Sequence, residues 1–333
     1  MVDSRSVGRP TVPAGRTRDD PGAGACPVTL RYTQMTVPIA VVIFDFDPTV
    51  QLFGELAVRW GSIALVGVLV AALAVAGLLA RADDLRPDDV AFVAVGIVPG
   101  AVIGARLGYL IVHAETFGST PERLFDPSVG GLELGLAVVG GFVTGSYVAS
   151  LLGPSVGRWL HLAALPILFA MGAGKLTMVL TGTGQGSPSG ADWATAYLGA
   201  GPWGSLAPAL PSHPSQAYEG LATLAVLTIL TLTVLAGAFR SADGRLFFTA
   251  IGVWAMARAV ISTTWRDPVV AGGLNASGLM AVAIAVACAI ALVILTVRRR
   301  GSAADLPPRG PRDESDPRGD AIGWADPATR PPF

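Results

Sequence analysis

Seven apolar runs, each near the roughly 20 residues that a bilayer core requires, leave this chain little to fold into except a bundle of membrane-spanning helices. They cover approximately 57–79, 90–113, 134–152, 159–181, 215–236, 246–264 and 274–297. Only 14% of the 333 residues are charged and 52% are apolar, a balance that a water-soluble domain does not carry. Small residues recur inside the runs, as at Gly140-Gly141 and at Gly172 and Gly174. They let helices approach closely where no water drives them together. The expected fold is an all-α integral membrane protein of about seven transmembrane helices.

The flanks read differently. Residues 1–36 carry Arg5, Arg9, Arg16 and Arg18 among prolines and glycines without apolar periodicity, which predicts a disordered tail. No apolar region of signal-peptide type precedes the small residues Gly22 to Cys26, so a cleaved leader is not expected there. Val37 to Phe46 is apolar but too short to span and is expected at the interface. Residues 37–300 form the transmembrane domain, and 301–333, rich in Pro, Asp, Gly and Arg, form a second disordered tail.

Arg81, Arg86, Arg158, Arg240, Arg245 and the run Arg298-Arg299-Arg300 all fall on one side of the spans, against Arg59, Arg123 and Arg266 on the other. The positive-inside rule then puts the N-terminus outside and the C-terminus in the cytoplasm. The formal net charge of −1 suggests no nucleic-acid partner, and Cys26 and Cys288 form no readable disulfide framework or metal site. No cofactor is called for.

Ionisable residues inside the runs are costly in lipid, and this orientation brings three cations to one depth. Arg106, Lys175 and Arg258 each lie about 10 Å below the outer surface at 1.5 Å per residue. A polar cavity shared by the three would suit an anion such as a phospholipid headgroup, with arginine supplying a planar fork and lysine a point charge. Tyr109 and His113 follow Arg106 along one helix face. The bland alternative is that Arg106 and Arg258 snorkel, or pair with Glu219 and Glu133 as structural ties.

Polar chemistry concentrates in His213-Pro214-Ser215-Gln216-Ala217-Tyr218-Glu219, where a Gly/Pro/Ser-rich loop ends and an apolar helix begins. Ser215 is placed to cap that helix and Glu219 to sit in its first turn, where the dipole favours a carboxylate. A helix entrance and nothing more is the plain reading. Several ionisable groups at a membrane boundary favour a site.

These motifs together resemble the prolipoprotein diacylglyceryl transferases. The resemblance runs from about Phe44 to Arg300 and rests on Phe44-Asp45-Phe46-Asp47-Pro48, Gly54-x-Leu56-Ala57-Val58-Arg59-Trp60, Gly104-Ala105-Arg106-Leu107-Gly108-Tyr109, Gly130-Gly131-Leu132, Gly186-x-Pro188 with Trp193, Ala194 and Tyr197, and His213-Pro-Ser-Gln-x-Tyr-Glu219. It implies a seven-helix enzyme of the bacterial inner membrane that moves a diacylglyceryl group from phosphatidylglycerol to the lipobox cysteine thiol of prolipoproteins.

In that family pattern Gly61 stands where a tyrosine is usual and Gly135 where histidine is common. The signature that begins Gly-Arg and carries asparagines and a glutamate reads here Gly174-Lys175-Leu-Thr-Met178-Val-Leu-Thr181-Gly182-Thr183. Arg258 and Arg266 resemble the family's paired arginines with a spacing one residue longer.

The resemblance makes His213 and Lys175 the candidate catalytic residues, His213 as the base for a thiol that is mostly protonated at neutral pH. Arg106, Lys175 and Arg258 would hold the phosphate, with Tyr109, Gln216, Tyr218 and Glu219 orienting the headgroup or those cations. Two other readings stay open. One is a non-catalytic paralogue that keeps the lipid cavity; the other is a small transporter, which the lack of a clear internal repeat disfavours.

Overall fold

The computed structural model describes residues 41–54, 56–114 and 131–304, with side chains to residue 300. The expected tail over 1–36, Arg123, and most of the expected tail over 301–333 lie outside the described residues. Among the described residues seven helices carry the fold: α1 (Trp60–Ala82), α2 (Pro87–Val112), α3 (Leu134–Ser150), α4 (Val156–Thr177), α5 (Ser215–Leu235), α6 (Arg245–Ile261) and α7 (Ala276–Ala304). A 3₁₀ turn, Met178–Thr181, extends α4, and another, Ser262–Thr264, extends α6.

Six of these helices are long and apolar enough to cross a bilayer. The remaining one, α3, has 17 residues, about 25 Å of rise against a core of about 30 Å. Its start is fixed by Glu133, whose Oε2 accepts the Leu136 amide at 2.9 Å.

Packing between helices follows the glycines. On α2, Gly96, Gly100, Gly104 and Gly108 recur every fourth residue and turn to α3. A Cβ at Gly100 would stand 2.2 Å from the Gly140 carbonyl oxygen, so the two backbones touch and no larger residue fits. Gly172 of α4 and Gly220 of α5 make a second such contact, a Cβ at Gly220 reaching 2.9 Å from the Gly172 carbonyl oxygen. The apolar core lies on α4, α5, α6 and α7 around Leu168, Leu230, Trp254, Ala255 and Ile284.

The described strands gather at the end of the bundle where α1, α5 and α7 begin and α4 and α6 finish. β1 (Val42–Phe44) pairs in parallel with β4 (Thr195–Tyr197), β2 (Thr49–Phe53) forms an antiparallel hairpin with β3 (Leu56–Arg59), and β5 (Val269–Ala271) pairs with β6 (Leu274–Asn275). The apolar run before α1 therefore contributes a strand against the 182–214 loop, and Phe44 stacks on Tyr197 at 4.9 Å. Arg266 holds that loop down: its Nε donates to the Gly186 carbonyl at 2.5 Å and a terminal nitrogen to Ser212 Oγ at 3.0 Å.

At the opposite end, Arg158 pairs with Asp83 at 3.0 Å, Arg245 with Asp243 at 2.8 Å, and Arg299 donates to Ser241. The Asp243 carboxyl loses solvent by partial burial, yet amide and hydroxyl donors and the Arg245 charge hold it below the usual carboxylate range.

Candidate functional site

A chain of four alternating charges crosses the bundle at the level of the 182–214 loop. Lys175, two residues before the end of α4, puts Nζ 3.0 Å from Glu219 Oε2 of α5, an ion contact rather than an aligned hydrogen bond. The other Glu219 oxygen accepts from Arg258 of α6. The second terminal nitrogen of Arg258 donates to Glu133 Oε1 at 2.7 Å, so the residue that caps α3 closes the chain. Arg258, Glu133 and Glu219 are 2%, 6% and 1% exposed, and isolated charges would not survive such burial. The indole of Trp265 lies against both cations, 5.0 Å from Lys175 Nζ and 4.8 Å from the Arg258 guanidinium carbon.

Lys175 and Glu133 open onto a cavity of about 620 Å³ bounded by α1, α2, α3 and α4, with Phe247 from α6. Along α4 its wall runs from Lys175 to Val156, about 28 Å at 1.5 Å per residue and so close to a full bilayer core. Ala101, Ala105, Ala137, Gly141, Ala163 and Ala170 contribute small apolar surface to it. A slender apolar chain ending in a polar group matches this shape.

The motif beginning at His213 divides between two faces. Pro214, not Ser215, is the N-cap of α5; the Ser215 hydroxyl instead bonds Thr264 at the end of α6, at 2.7 Å to its Oγ1. Glu219 lies beyond the first turn and is held by Lys175 and Arg258 rather than by the helix dipole. Gln216 shares the inward face with Glu219 and donates to Tyr197 Oη at 3.1 Å. Burial pushes the Tyr197 phenol up to about 12, although hydrogen bonds from Gln216 and Thr195 act against the rise.

Tyr218 turns the other way, accepting from Trp193 Nε1 at 2.6 Å and meeting His213 Nδ1 at 3.3 Å. No hydrogen bond or ion pair joins His213 to Lys175 among the described residues. The two expected catalytic residues thus belong to neighbouring but separate clusters.

Arg106 is half-buried on α2 and is not among the residues lining the cavity. It follows Ala105, whose carbonyl accepts the Glu133 amide at 3.0 Å, so it adjoins the Glu133 end of the charge chain through the backbone. Tyr109 stacks on His113 at 4.1 Å and covers Gly131. Of the three expected cations, Lys175 and Arg258 converge on one carboxylate.

Where the family pattern carries a tyrosine, a Cβ on Gly61 would lie 2.7 Å from Thr181 Cγ2 and 2.8 Å from the Thr177 carbonyl oxygen. Thr181 Oγ1 in turn bonds Thr183 Oγ1 at 2.9 Å. The threonines of the altered signature thus pack into the space over Gly61.

A sequence profile described as prolipoprotein diacylglyceryl transferase matches residues 48–295, which takes in α1 to α6 and most of α7. The chain belongs to the prolipoprotein diacylglyceryl transferase family. Among its relatives, the phosphatidylglycerol–prolipoprotein diacylglyceryl transferase of Synechococcus elongatus is 29% identical over 40% of this chain and 49% of its own length. The protein of the same name from Symbiobacterium thermophilum is 25% identical over 46% and 57%. That of Streptococcus sanguinis is 31% identical over 31% and 39%.

The chain thus spans about half the length of the curated relatives it matches. The pairing of Arg258 with Glu219 and Glu133, the structural alternative in the sequence analysis, is present in the fold, whereas nothing there singled out Trp265. An acidic residue directly before an apolar run was the available signal for Glu133.

Proposed function

We propose that this protein transfers a diacylglyceryl group from phosphatidylglycerol to the lipobox cysteine thiol of prolipoproteins, at the outer face of a bacterial inner membrane. The observation that carries the reading is the cavity whose polar end is Lys175 and Glu133 and whose walls are apolar for the depth of a bilayer, in a chain of this family. Acyl chains fit the walls. The ester to be broken would lie at the charged end.

In the reaction the cysteine sulfur forms a bond to the glyceryl methylene carbon while that carbon's bond to the phosphate oxygen breaks. The electron pair leaves with glycerol phosphate. His213 takes the thiol proton, through Nε2 because Nδ1 faces Tyr218. Lys175 meets the charge that grows on the departing phosphate, and Arg258 fixes Glu219 so that Lys175 is held in place. Gln216 braces Tyr197 beneath the loop, while Arg106, outside the cavity lining, adjoins its Glu133 end through Ala105.

The orientation with a cytoplasmic C-terminus draws support from the pairing of Arg158 with Asp83 and of Arg299 with Ser241, which gathers the basic residues at the end away from Lys175. One observation favours the lipid-binding paralogue instead. Thr177 and Thr181 spend their hydroxyls on the Gly174 and Met178 carbonyls, and Met178 offers no polar group. Cells with no other transferase separate the two readings: the unaltered chain should support lipoprotein modification and Lys175→Ala and His213→Ala should abolish it, whereas no modification with the unaltered, folded chain would remove the enzyme reading.

A further inference from the structure

The cavity is one space from Lys175 to Trp159, both of which line it. The stretch of α4 between them is about 24 Å long at 1.5 Å per residue, whereas half of a bilayer core is about 15 Å. A lipid held by its headgroup at Lys175 therefore has room for a chain that runs past the midplane.

The wall changes character on the way down. Leu65, Leu69, Val102 and Leu132, the exposed apolar residues of the described lining, all stand in its outer half, so the cavity meets lipid there. Deeper in, Val93, Ile97, Gly145, Ala149, Leu160 and Ala163 are buried or half-buried, and they enclose the space. At the bottom Trp159, 3% exposed, packs with Ala80, Val90, Ala149 and Leu162 in a buried apolar cluster that Val93 joins. Its indole is the largest side chain at that end. One turn above it on the same face of α4, Ala163 is small enough to leave the slot open.

We infer that the enclosed lower half is an acyl-chain site and that Trp159 ends it, so that this residue sets the longest chain accepted in the donor lipid. The inference deepens the transfer reading and rests on it for the identity of that lipid. An extended chain advances about 1.25 Å per carbon when bonds of about 1.5 Å meet at about 111°. By the same geometry the glyceryl and ester groups below a phosphate on Lys175 take up about 6 Å, which leaves room for about 15 carbons above the indole.

The test supplies delipidated full-length protein in micelles with an equimolar mixture of dilauroyl, dipalmitoyl and dibehenoyl phosphatidylglycerol and a lipobox peptide. Native mass spectrometry reads which lipid is bound, and the mass of the peptide reads which diacylglyceryl group has moved. The dibehenoyl lipid should be bound and transferred about 10-fold less than the dipalmitoyl one, because its chain must strain the packed floor or draw the phosphate off Lys175. Trp159→Ala should admit it. Ala163→Phe, which fills the slot one turn higher, should turn the preference from the dipalmitoyl to the dilauroyl lipid. Equal handling of the dipalmitoyl and dibehenoyl lipids by the unaltered protein overturns the inference, even if the variants do not fold. So does a limit that stays in place in folded Trp159→Ala or in folded Ala163→Phe. Transfer without a chain-length limit would overturn the inference and keep the enzyme; a limit in binding that Trp159→Ala relaxes, with transfer from no lipid, would keep the site and remove the transfer reading.

Discussion

Arg258 and Glu133 are 125 residues apart in the chain and 2.7 Å apart in the fold. Their contact joins the end of α6 to the cap of α3, and through Glu219 it reaches α4 and α5 as well. A single guanidinium thus determines where the helix ends around the cavity mouth stand. Arg258→Met should take the shared guanidinium from two buried carboxylates, leaving Glu219 to Lys175 and Glu133 to the Leu136 amide, and lower stability by about 3–5 kcal/mol. Thermal unfolding in detergent measures it, and adding Glu133→Gln to Arg258→Met should restore part of the loss; no restoration would mean the two groups are not coupled.

Glycine contacts provide an independent check of the fold. Gly100→Ala would drive a methyl group against the Gly140 carbonyl and should cost about 1–3 kcal/mol. Gly67→Ala and Gly77→Ala on α1 meet nothing within 4 Å and should be neutral or slightly stabilising. The same unfolding measurement on all three variants distinguishes a close helix pair from a general intolerance of substitution.

The raised Tyr197 phenol makes stability fall with alkali. Below pH 10 the folded and unfolded chains both keep the phenolic proton, and the contribution is complete. Between pH 10 and about 12 the unfolded chain loses that proton while the folded chain keeps it, so unfolding becomes easier as pH rises. Unfolding scans should show this decline, and Tyr197→Phe should flatten it. An unchanged decline in the variant would assign the effect to other groups.

His213 and Tyr218 form a pair whose parts can be separated. His213→Ala should lower transfer by about 10²-fold or more, with the protein still folded. Tyr218→Phe removes the partner of Nδ1 but leaves the imidazole, so it should lower the rate less and alter the pH profile of transfer. An intact rate in His213→Ala would move the base elsewhere.

Much of the fold was legible because a bilayer sets helix length directly: the runs from 215 and from 246 coincide with α5, and with α6 plus its 3₁₀ turn, to within a residue. The depth argument also placed Lys175 and Arg258 at a common level, since helical rise converts sequence position into depth. What it could not give was rotation. With Pro214 as the cap, Gln216 and Glu219 share the inward face and Tyr218 falls on another, which parts His213 from the charge chain. Nor could depth place Arg106 relative to the cavity wall, because its neighbour Ala105 lines it and Arg106 does not. Ser215 looked like a cap from its residue type; its hydroxyl is taken by Thr264, 49 residues away, a contact that no local pattern encodes.

Transfer by the purified protein in vesicles tests the central claim most directly. A lipobox peptide is supplied with phosphatidylglycerol, and its mass is followed. The expected result is a gain of one diacylglyceryl group that disappears with a Cys→Ser peptide and with Lys175→Ala. Folded protein that leaves the peptide unmodified, while a transferase of known activity modifies it alongside, would contradict the account.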